Sequence, residues 1–251
     1  MAKDVIIACD FSSSEETLAF LDKMGDRKPF VKIGMELFYA AGPEMVREIV
    51  ARGHKVFLDL KLHDIPNTVK KAMANLGGLG VYMCNVHAAG GVKMMAAAKE
   101  GLLAGAEKAG SEPPLLIAVT QLTSTDDDML KNELLIGASM NDTILKYAEN
   151  ASEAGLDGVV CSPLEAGMIA DHFKKLGKEF MTVTPGIRFA GGSVDDQKRI
   201  TTPRQARERG SDYIVVGRPI TAAADPVAAY DKCVNDFLTD NKSSGDMSSK
   251  E

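Results

Sequence analysis

Residues 56–66 read VFLDLKLHDIP, an apolar run in which two opposite charges, Asp59 and Lys61, stand two positions apart. Side chains two apart on a β-strand point to the same face of a sheet, so these charges share one face and the leucines beside them take the other. Opposite charges that face a closed interior cost free energy unless they are paired or functional. The stretch therefore predicts a buried strand that ends in a charged site.

Further apolar runs rich in Val, Ile, Leu and Phe recur along the chain, and segments with helical patterning separate them. We predict eight strands, at Val5–Cys9, Phe30–Gly34, Val56–Leu60, Val81–Val86, Leu115–Thr120, Gly158–Cys161, Phe180–Thr184 and Tyr213–Gly217. The predicted helices are Ser14–Met24, Pro43–Arg52, Val92–Ala109, Asn141–Glu153, Glu165–Leu176, Pro203–Arg209 and Asp225–Phe237, with Pro66 in the first turn of another. Nearly continuous apolar strands are typical of a parallel sheet that is buried on both faces.

Eight β-then-α units predict a closed (β/α)8 TIM barrel of the α/β class. The rival architecture, a doubly wound open sheet, normally has a glycine-rich loop after its first strand. Here that strand runs into Ala8-Cys9-Asp10-Phe11, which contains no glycine. We therefore expect one catalytic barrel domain over residues 1–241 and a disordered tail, rich in Ser, Lys and acidic residues, over 242–251.

Composition limits the location and partners of the chain. A net charge of −6 argues against nonspecific nucleic-acid binding, which needs a dense basic surface, but not against a small anionic substrate. No apolar run approaches the roughly 20 residues that span a membrane, and the amino terminus lacks the apolar segment of a signal peptide. The four cysteines are far apart, as expected of reduced thiols. We expect a cytoplasmic protein that binds neither nucleic acid nor membrane.

Charged and polar residues collect near the predicted carboxyl ends of the strands, where the active sites of such barrels lie. Asp59 and Lys61 alone also fit a structural ion pair, but charges at the neighbouring strand ends favour an electrostatic site. A lysine held among carboxylates stays protonated, which suits a proton donor to a carbanion and not a Schiff-base nucleophile. The candidates are Asp10, Lys32, Asp59, Lys61, Asp64, Thr123, Ser124, Arg188 and Arg218. His87 also ends a strand, but we expect it to pack or hydrogen-bond rather than to catalyse.

The loops after the seventh and eighth strands predict a phosphate site. Barrels often bind phosphate between these loops, through backbone N–H groups and a helix amino terminus. Gly186 and Gly217 permit close approach of the backbone, and Arg218 can bind phosphate through two N–H groups. Residues 189–197 are polar and glycine-rich, as expected of a lid over a substrate, and Gln197 among them is a neutral hydrogen-bond donor.

Residues 59–68, DLKLHDIPNT, resemble the DxKxxDIPxT signature of the orotidine 5′-phosphate decarboxylases. The resemblance covers nearly the whole chain and includes ACD at 8–10, VKIG at 31–34, VHA at 86–88, TQLTS at 120–124, TPGIR at 184–188 and VVGRPI at 215–220. It implies a TIM barrel that converts orotidine 5′-monophosphate to uridine 5′-monophosphate and carbon dioxide in de novo pyrimidine biosynthesis. It also implies a homodimer with shared active sites and no metal or cofactor. The sequence agrees, since it has no CxxC, HExxH, Walker A or Rossmann glycine pattern.

The resemblance implies a role for each matching residue. Asp10 and Lys32 are expected to bind ribose hydroxyls, with Lys32 also in the charge network. Asp59 is expected beside the substrate carboxylate, and Lys61 to protonate C6 of the pyrimidine. The other expected contacts are Asp64 and Thr68 with the neighbouring subunit's site, Ile65 with departing carbon dioxide, Thr123 and Ser124 with the base, and Gln197, Gly217, Arg218 and the backbone near Arg188 with phosphate.

Two alternatives remain open at this point. The 3-keto-L-gulonate 6-phosphate decarboxylases and hexulose-phosphate synthases share the Asp-x-Lys-x-x-Asp core but use magnesium and an enediolate intermediate. The continuation at Ile65–Thr68 and the pair Thr123-Ser124 favour the orotidine chemistry instead. The second alternative is a phosphate-ligand binding module without turnover, which would bind a ligand without forming product.

Overall fold

Eight parallel strands close into a barrel in which each strand pairs with the next and the eighth pairs with the first. The computed structural model describes residues 3–189 and 201–239. The strands are β1 (Asp4–Ala8), β2 (Phe30–Gly34), β3 (Val56–Leu62), β4 (Met83–His87), β5 (Leu115–Val119), β6 (Gly158–Val160), β7 (Met181–Thr184) and β8 (Tyr213–Val216). The predicted barrel is therefore confirmed, with strand ends shifted by at most two residues.

Helices cover the outside of the barrel. They are α1 (Ser14–Met24), α2 (Met35–Ala51), α3 (Pro66–Gly77), α4 (Gly91–Ala109), α5 (Met140–Glu153), α6 (Ala166–Lys175), α7 (Pro203–Glu208), α8 (Arg218–Thr221) and α9 (Pro226–Leu238). Strand side chains alternate between two cores, as a sheet buried on both faces requires. Phe57 and Met83 fill the interior of the barrel, whereas Leu58 and Cys84 pack outward with the helices.

Helix α2 is longer than the sequence predicted. The prediction began it at Pro43, but the structure begins it at Met35. Gly42 interrupts the helical geometry with a φ of 72°, and Pro43 opens the second segment. Because proline lacks the N–H that would continue the first segment's hydrogen bonds, the sequence pattern detected only the second segment. The ends of the other predicted helices agree to within one residue.

Helices α3 and α4 lie very close together because glycines line their contact. A Cβ added at Gly101 would lie 2.0 Å from the carbonyl oxygen of Lys70, and one at Gly105 would lie 1.9 Å from that of Ala74. A larger residue at either position would push the helices apart, since packed interiors have no room for it. The contact holds α3, whose first turn follows the charged end of β3.

Aromatic rings close the amino-terminal end of the barrel. Phe30 meets Tyr82 edge-on with ring centroids 5.2 Å apart, and its centroid lies 6.2 Å from that of Tyr213. Lys55 Nζ lies 4.7 Å from the centroid of Tyr82. Burial and the neighbouring Tyr82 raise the pKa of the Tyr213 hydroxyl, so it stays neutral. This end is a packed floor, and the open end lies at the carboxyl termini of the strands.

Two predictions fall outside the described residues: the tail at 242–251 and, apart from Phe189, the lid at 189–197. The domain boundary at residue 241 therefore stays a prediction. Across residues 3–189 and 201–239, no helix combines the length and apolar character needed to cross a membrane.

Candidate active site

Four side chains of alternating charge form a chain of ion pairs at the carboxyl ends of β1, β2 and β3. Lys32 Nζ donates a hydrogen bond of 2.8 Å to Asp10 Oδ1 and lies 3.5 Å from Asp59 Oδ2. Lys61 Nζ donates a hydrogen bond of 2.7 Å to Asp59 Oδ1, the other oxygen of the same carboxylate. The structure thus brings together four of the residues that the sequence singled out.

The two central members of this charge array are buried. The side chains of Lys32 and Asp59 are only 11% and 12% exposed. Burial alone would lower the pKa of Lys32, but the carboxylates of Asp59 and Asp10 outweigh it and leave that pKa above its ordinary value. Burial alone would raise the pKa of Asp59, but Lys32 and Lys61 outweigh it and leave that pKa below its ordinary value. Both groups therefore stay charged at neutral pH and maintain a fixed field at the barrel mouth.

Two cavities adjoin Lys61. The smaller, of about 200 Å³, contains the charge array and is lined by Cys9, Asp10, Lys32, Gly34, Met35, Glu36, Leu37, Asp59 and Lys61. The larger is a groove of about 640 Å³ between α2, the end of β3 and α3, with a mostly apolar lining. The smaller cavity is the better candidate for the chemistry, because it holds the fixed charges that can stabilise a reacting group.

An irregularity in β3 sets the position of Lys61. The pairing with β4 advances four residues along β3, from Leu58 to Leu62, but only two along β4, so three residues of β3 lie opposite Asn85 alone. Within this bulge Lys61 takes a left-handed φ of 51°, which is uncommon for a residue with a side chain. The regular alternation assumed from the sequence therefore ends here, although Asp59 and Lys61 still meet.

Asn85 is a site residue that sequence reasoning missed. It is fully buried, its Nδ2 donates a hydrogen bond of 2.7 Å to Asp59 Oδ1, and its Oδ1 accepts one of 2.8 Å from the backbone N–H of Lys61. The available signal was a lone amide within the otherwise apolar stretch 83–86. Buried polar side chains are normally hydrogen-bonded, so such an amide indicates a partner at the same level of the barrel.

The loops after β7 and β8 bring two guanidinium groups near each other. Burial and the positive charge of Arg218 lower the pKa of Arg188. Gly186, before Arg188, takes a φ of 82°, and Gly217 directly precedes the short helix α8. Two neighbouring guanidinium groups are suited to an anion between them. The remaining predicted phosphate contact, Gln197, lies outside the described residues.

Five other predicted residues lie outside the smaller cavity. Asp64 and Ile65 are exposed just before α3, and Thr68 is exposed in its first turn. The Asp64 carboxylate accepts a hydrogen bond of 2.6 Å from the N–H of Ile65. Asp64 and Thr68 line the larger groove. Thr123 and Ser124 are exposed in the turn after β5 and line neither cavity. Within one chain, none of these five lines the smaller cavity, and Asp64 and Thr68 share the larger groove with Lys61.

The histidines and cysteines near the site do not form a nucleophile pair. Burial, His63 and Lys61 lower the pKa of His87, and the rings of His63 and His87 lie 5.9 Å apart. Burial raises the pKa of Cys9, which lines the smaller cavity, to about 12. Burial likewise raises the pKa of Cys161. Among the residues that the structure describes, no group of three or more His, Cys, Asp or Glu side chains is arranged to hold a metal ion.

Comparison with known proteins identifies the family. The model described as "Orotidine 5'-phosphate decarboxylase / HUMPS family" matches residues 3–233. The chain belongs to this family. A protein of Staphylococcus aureus named orotidine 5′-phosphate decarboxylase is 56% identical over 233 residues, which cover 93% of this chain and 97% of that protein. A protein of Enterococcus faecalis with the same name is 55% identical over 233 residues, or 92% of this chain and 97% of that protein.

A solved structure supports the same assignment. The crystal structure of orotidine 5′-phosphate decarboxylase from Lactobacillus acidophilus matches with a TM-score of 0.84 at 45% identity, and the match covers 94% of this chain and 100% of that chain. The resemblance that residues 59–68 indicated is thereby confirmed for the family and the fold. The roles of individual residues remain proposals.

Proposed function

We propose that this chain is a carboxy-lyase that converts orotidine 5′-monophosphate to uridine 5′-monophosphate and carbon dioxide in pyrimidine biosynthesis. The observation that carries the proposal is the alternating array of Asp10, Lys32, Asp59 and Lys61 at the barrel mouth. Relatives with more than half of their aligned residues identical to this chain bear the name of that enzyme. An array of this kind can stabilise a carbanion and deliver a proton to it without a nucleophilic side chain.

Lys61 is the proposed proton donor. When the bond between C6 and the substrate carboxylate breaks, its electron pair stays at C6, and the Lys61 ammonium supplies the proton that completes the product. Asp59 keeps a negative charge beside the departing carboxylate and holds Lys61 Nζ at 2.7 Å. Lys32 stays positive between Asp10 and Asp59. These fixed charges favour negative charge at C6, next to the Lys61 ammonium, over negative charge next to Asp59.

The remainder of the nucleotide is proposed to cross the barrel mouth toward the loops after β7 and β8. Asp10 and Lys32 bind the ribose hydroxyls, and Arg218 binds the phosphate. A Cβ built on Gly217 would lie 3.9 Å from Asp10 Oδ2, so the proposed ribose and phosphate contacts are adjacent, as they are in a nucleoside monophosphate. The other proposed contacts are Gly217, Gln197 and the backbone near Arg188 for the phosphate, and Thr123 and Ser124 for the base.

The proposed working unit is a homodimer with shared active sites. Ile65 is 67% exposed and Tyr39 is 74% exposed beside the mostly apolar groove, and apolar surface that is contiguous in this way marks an interaction site. A second copy that covers this groove would carry Asp64 and Thr68 toward the partner's Lys61, with Ile65 beside the departing carbon dioxide. A dimer of this kind would explain why Asp64, Ile65 and Thr68, which belong to the signature at residues 59–68, are exposed in a single chain.

Mixing two inactive variants tests the shared site. Asp64→Ala and Lys61→Ala should each be inactive, but a mixture after subunit exchange should recover roughly a quarter of wild-type activity, because about half of the dimers are hybrids and each has one intact site. Subunit exchange is verified with differently tagged chains. Hybrids that stay inactive after verified exchange would show that each site is built from one chain.

The proposed reaction needs neither metal nor cofactor, and no nucleic acid or membrane takes part. We further propose a cytoplasmic location, which the four buried thiols outside any disulfide support. The rival within the family is magnesium-dependent keto-sugar phosphate chemistry. The continuation DIPNT after the Lys61 region favours the orotidine reaction.

An assay of the purified dimer tests the function directly. Orotidine 5′-monophosphate is added with and without excess EDTA, and the pyrimidine ultraviolet band is followed. The proposal expects rapid loss of the substrate band that EDTA does not change. Binding without loss of the band would indicate a binding module, and an inert, folded dimer that instead consumes 3-keto-L-gulonate 6-phosphate with magnesium would establish the rival chemistry.

A further inference from the structure

Asn85 lies where β3 and β4 lose their common register, and its amide connects the two groups of the proposed chemistry. Its Nδ2 donates at 2.7 Å to Asp59 Oδ1, the same oxygen that accepts the hydrogen bond from Lys61 Nζ. Its Oδ1 accepts at 2.8 Å from the backbone N–H of Lys61. One planar group therefore holds both the carboxylate and the backbone of the residue that carries the ammonium.

A short primary amide suits both contacts, and the common substitutes do not. An aspartate at position 85 keeps an acceptor for the Lys61 N–H but has no proton for Asp59 when ionised, and it adds a second buried negative charge. A leucine has a similar shape but neither donates nor accepts. The partners also determine how the amide of Asn85 is oriented, since its oxygen must face an N–H and its nitrogen must face a carboxylate.

The backbone of Lys61 explains why such a contact is needed. Its φ of 51° lies in the left-handed region, which residues with a Cβ seldom occupy unless surrounding contacts enforce it. In a bulge the extra residues lose their regular partners in the strand ladder. The Oδ1 of Asn85 supplies an acceptor in place of a β4 carbonyl. Without it, the Lys61 backbone would relax toward a commoner conformation and carry Nζ away from Asp59.

We propose that Asn85 is a positioning residue that holds Lys61 Nζ and the Asp59 carboxylate in their mutual geometry. This inference rests on the proposed function of the site. Asn85 acts through Asp59 and Lys61 and is fully buried, so its loss should slow the chemical step and leave nucleotide binding nearly unchanged.

The first test compares Asn85→Leu with a matched control, Thr182→Val. Thr182 is also fully buried on a barrel strand, and its hydroxyl bonds to Asp212 and to the carbonyl of Gly210. The control therefore removes a buried side-chain hydrogen bond to a carboxylate, although a longer one of 3.3 Å, at a residue whose hydroxyl bonds to neither Asp59 nor Lys61. We expect kcat to fall about 100-fold in Asn85→Leu and by less than about twofold in Thr182→Val.

Two further measurements separate positioning from general damage. The dissociation constant for uridine 5′-monophosphate should change less than about threefold in Asn85→Leu, because that variant keeps every group proposed to contact the nucleotide. If Asn85→Leu does not fold, Asn85→Asp serves in its place, since it retains the shape and the acceptor for Lys61. Its kcat should still fall by about tenfold or more, and an unchanged kcat would overturn the proposal.

A crystal structure of Asn85→Leu gives a readout that does not depend on turnover. The distance from Lys61 Nζ to Asp59 Oδ1, 2.7 Å in the wild type, should open beyond hydrogen-bonding range. If the wild type fails to consume orotidine 5′-monophosphate but this distance opens, the positioning role stands and the proposed function is wrong. If the wild type is active and Asn85→Leu keeps both kcat and the short distance, the positioning role is wrong and the function stands.

Discussion

The two ends of the barrel are built from the same strands, and on β2 and β3 the apolar end and the charged end are successive inward-facing residues. On β2, Phe30 packs among the aromatic rings of the floor, and Lys32, two residues further, lies in the charge array. On β3, Phe57 belongs to the inner apolar core, and Asp59, two residues further, is the centre of the array. On these two strands, the next inward-facing residue therefore changes the barrel lining from an aromatic ring to a paired charge.

The residues that mainly stabilise the fold and those proposed to carry the chemistry therefore lie at opposite ends of the same strands. Apolar burial at the floor contributes to folding without any bond geometry to maintain. The mouth concentrates charges whose burial is costly and is offset only while the pairs stay intact. Substitutions at the floor should therefore mainly change the free energy of unfolding, whereas substitutions at the mouth should mainly change kinetics, with a smaller, pH-dependent effect on stability.

Removal of Lys61 should have the largest effect on activity. Lys61→Ala takes away the proposed proton donor and a positive charge next to the developing carbanion, so kcat should fall by at least about 10⁴-fold. The thermal unfolding midpoint should change little, because Lys61 is partly exposed and the buried Asp59 carboxylate keeps Lys32 and Asn85 as partners. Initial rates with orotidine 5′-monophosphate and a thermal melt check this. Activity near the wild-type rate would remove Lys61 from the chemistry.

Removal of the Phe30 ring from the floor should have the opposite effect, with a loss of stability and little change in kcat. Phe30→Ala deletes a side chain that is 3% exposed and should lower the free energy of unfolding by about 3–5 kcal/mol. The kcat of the folded fraction should stay within about twofold of wild type, since Phe30 packs against Tyr82 and Tyr213 at the end of the barrel opposite the active site. Denaturant unfolding at one protein concentration, with rates measured well below the transition, tests both halves. A loss of kcat without a loss of stability would contradict the separation of the two ends.

The sequence predicted the barrel well because its signals are local and repeated. Apolar runs such as Val56–Leu60 show strands directly, and their carboxyl ends are where a parallel barrel collects charges. The gathering of Asp10, Lys32 and Asp59 follows from that rule alone. The first half of α2 was missed because Gly42 splits one helix into two patterns.

The sequence could not show how β3 and β4 meet. The bulge depends on pairing between strands, and the left-handed backbone of Lys61 has no signature in the residues around it. The amide of Asn85 stands out in its apolar stretch, but that stretch does not show which groups the amide bonds. The close contact of α3 with α4 was missed for the same reason, since Gly101 and Gly105 lie in an ordinary helical pattern and their purpose lies in the neighbouring helix.

Arg218→Ala should affect substrate binding rather than the chemical step, because Arg218 belongs to the proposed phosphate site and not to the charge array. Loss of a charged hydrogen-bond donor to phosphate, worth about 1.5–3 kcal/mol, should raise KM for orotidine 5′-monophosphate by roughly 10- to 150-fold. The matched control is Arg52→Ala, because Arg52 pairs with Asp22 and Glu48 on the outer surface. Steady-state kinetics of both variants should show a change only for Arg218, and an unchanged KM there would place the phosphate elsewhere.

The smallest expected effect is a dependence of stability on pH that originates at Asp59. Its folded pKa is below the ordinary value because Lys32 and Lys61 outweigh burial. A carboxylate with a lowered folded pKa stabilises the fold above its unfolded pKa, about 3.9, and this contribution is lost as the pH falls through the lower folded value. Asparagine at position 59 cannot titrate.

The free energy of unfolding of wild type minus that of Asp59→Asn should therefore be constant from about pH 6 down to about pH 5. As the pH falls further, this value should decrease, because the wild type loses the contribution of the Asp59 carboxylate. Denaturant unfolding of both proteins across this range measures the difference, and Asp22→Asn, on the exposed surface of α1, is the control. If this value instead increases toward acid, burial dominates at Asp59, and the array is held together by something other than its charges. If this value decreases toward acid, Asp59 at the barrel mouth contributes to stability only while its carboxylate is ionised, unlike the apolar side chains of the floor.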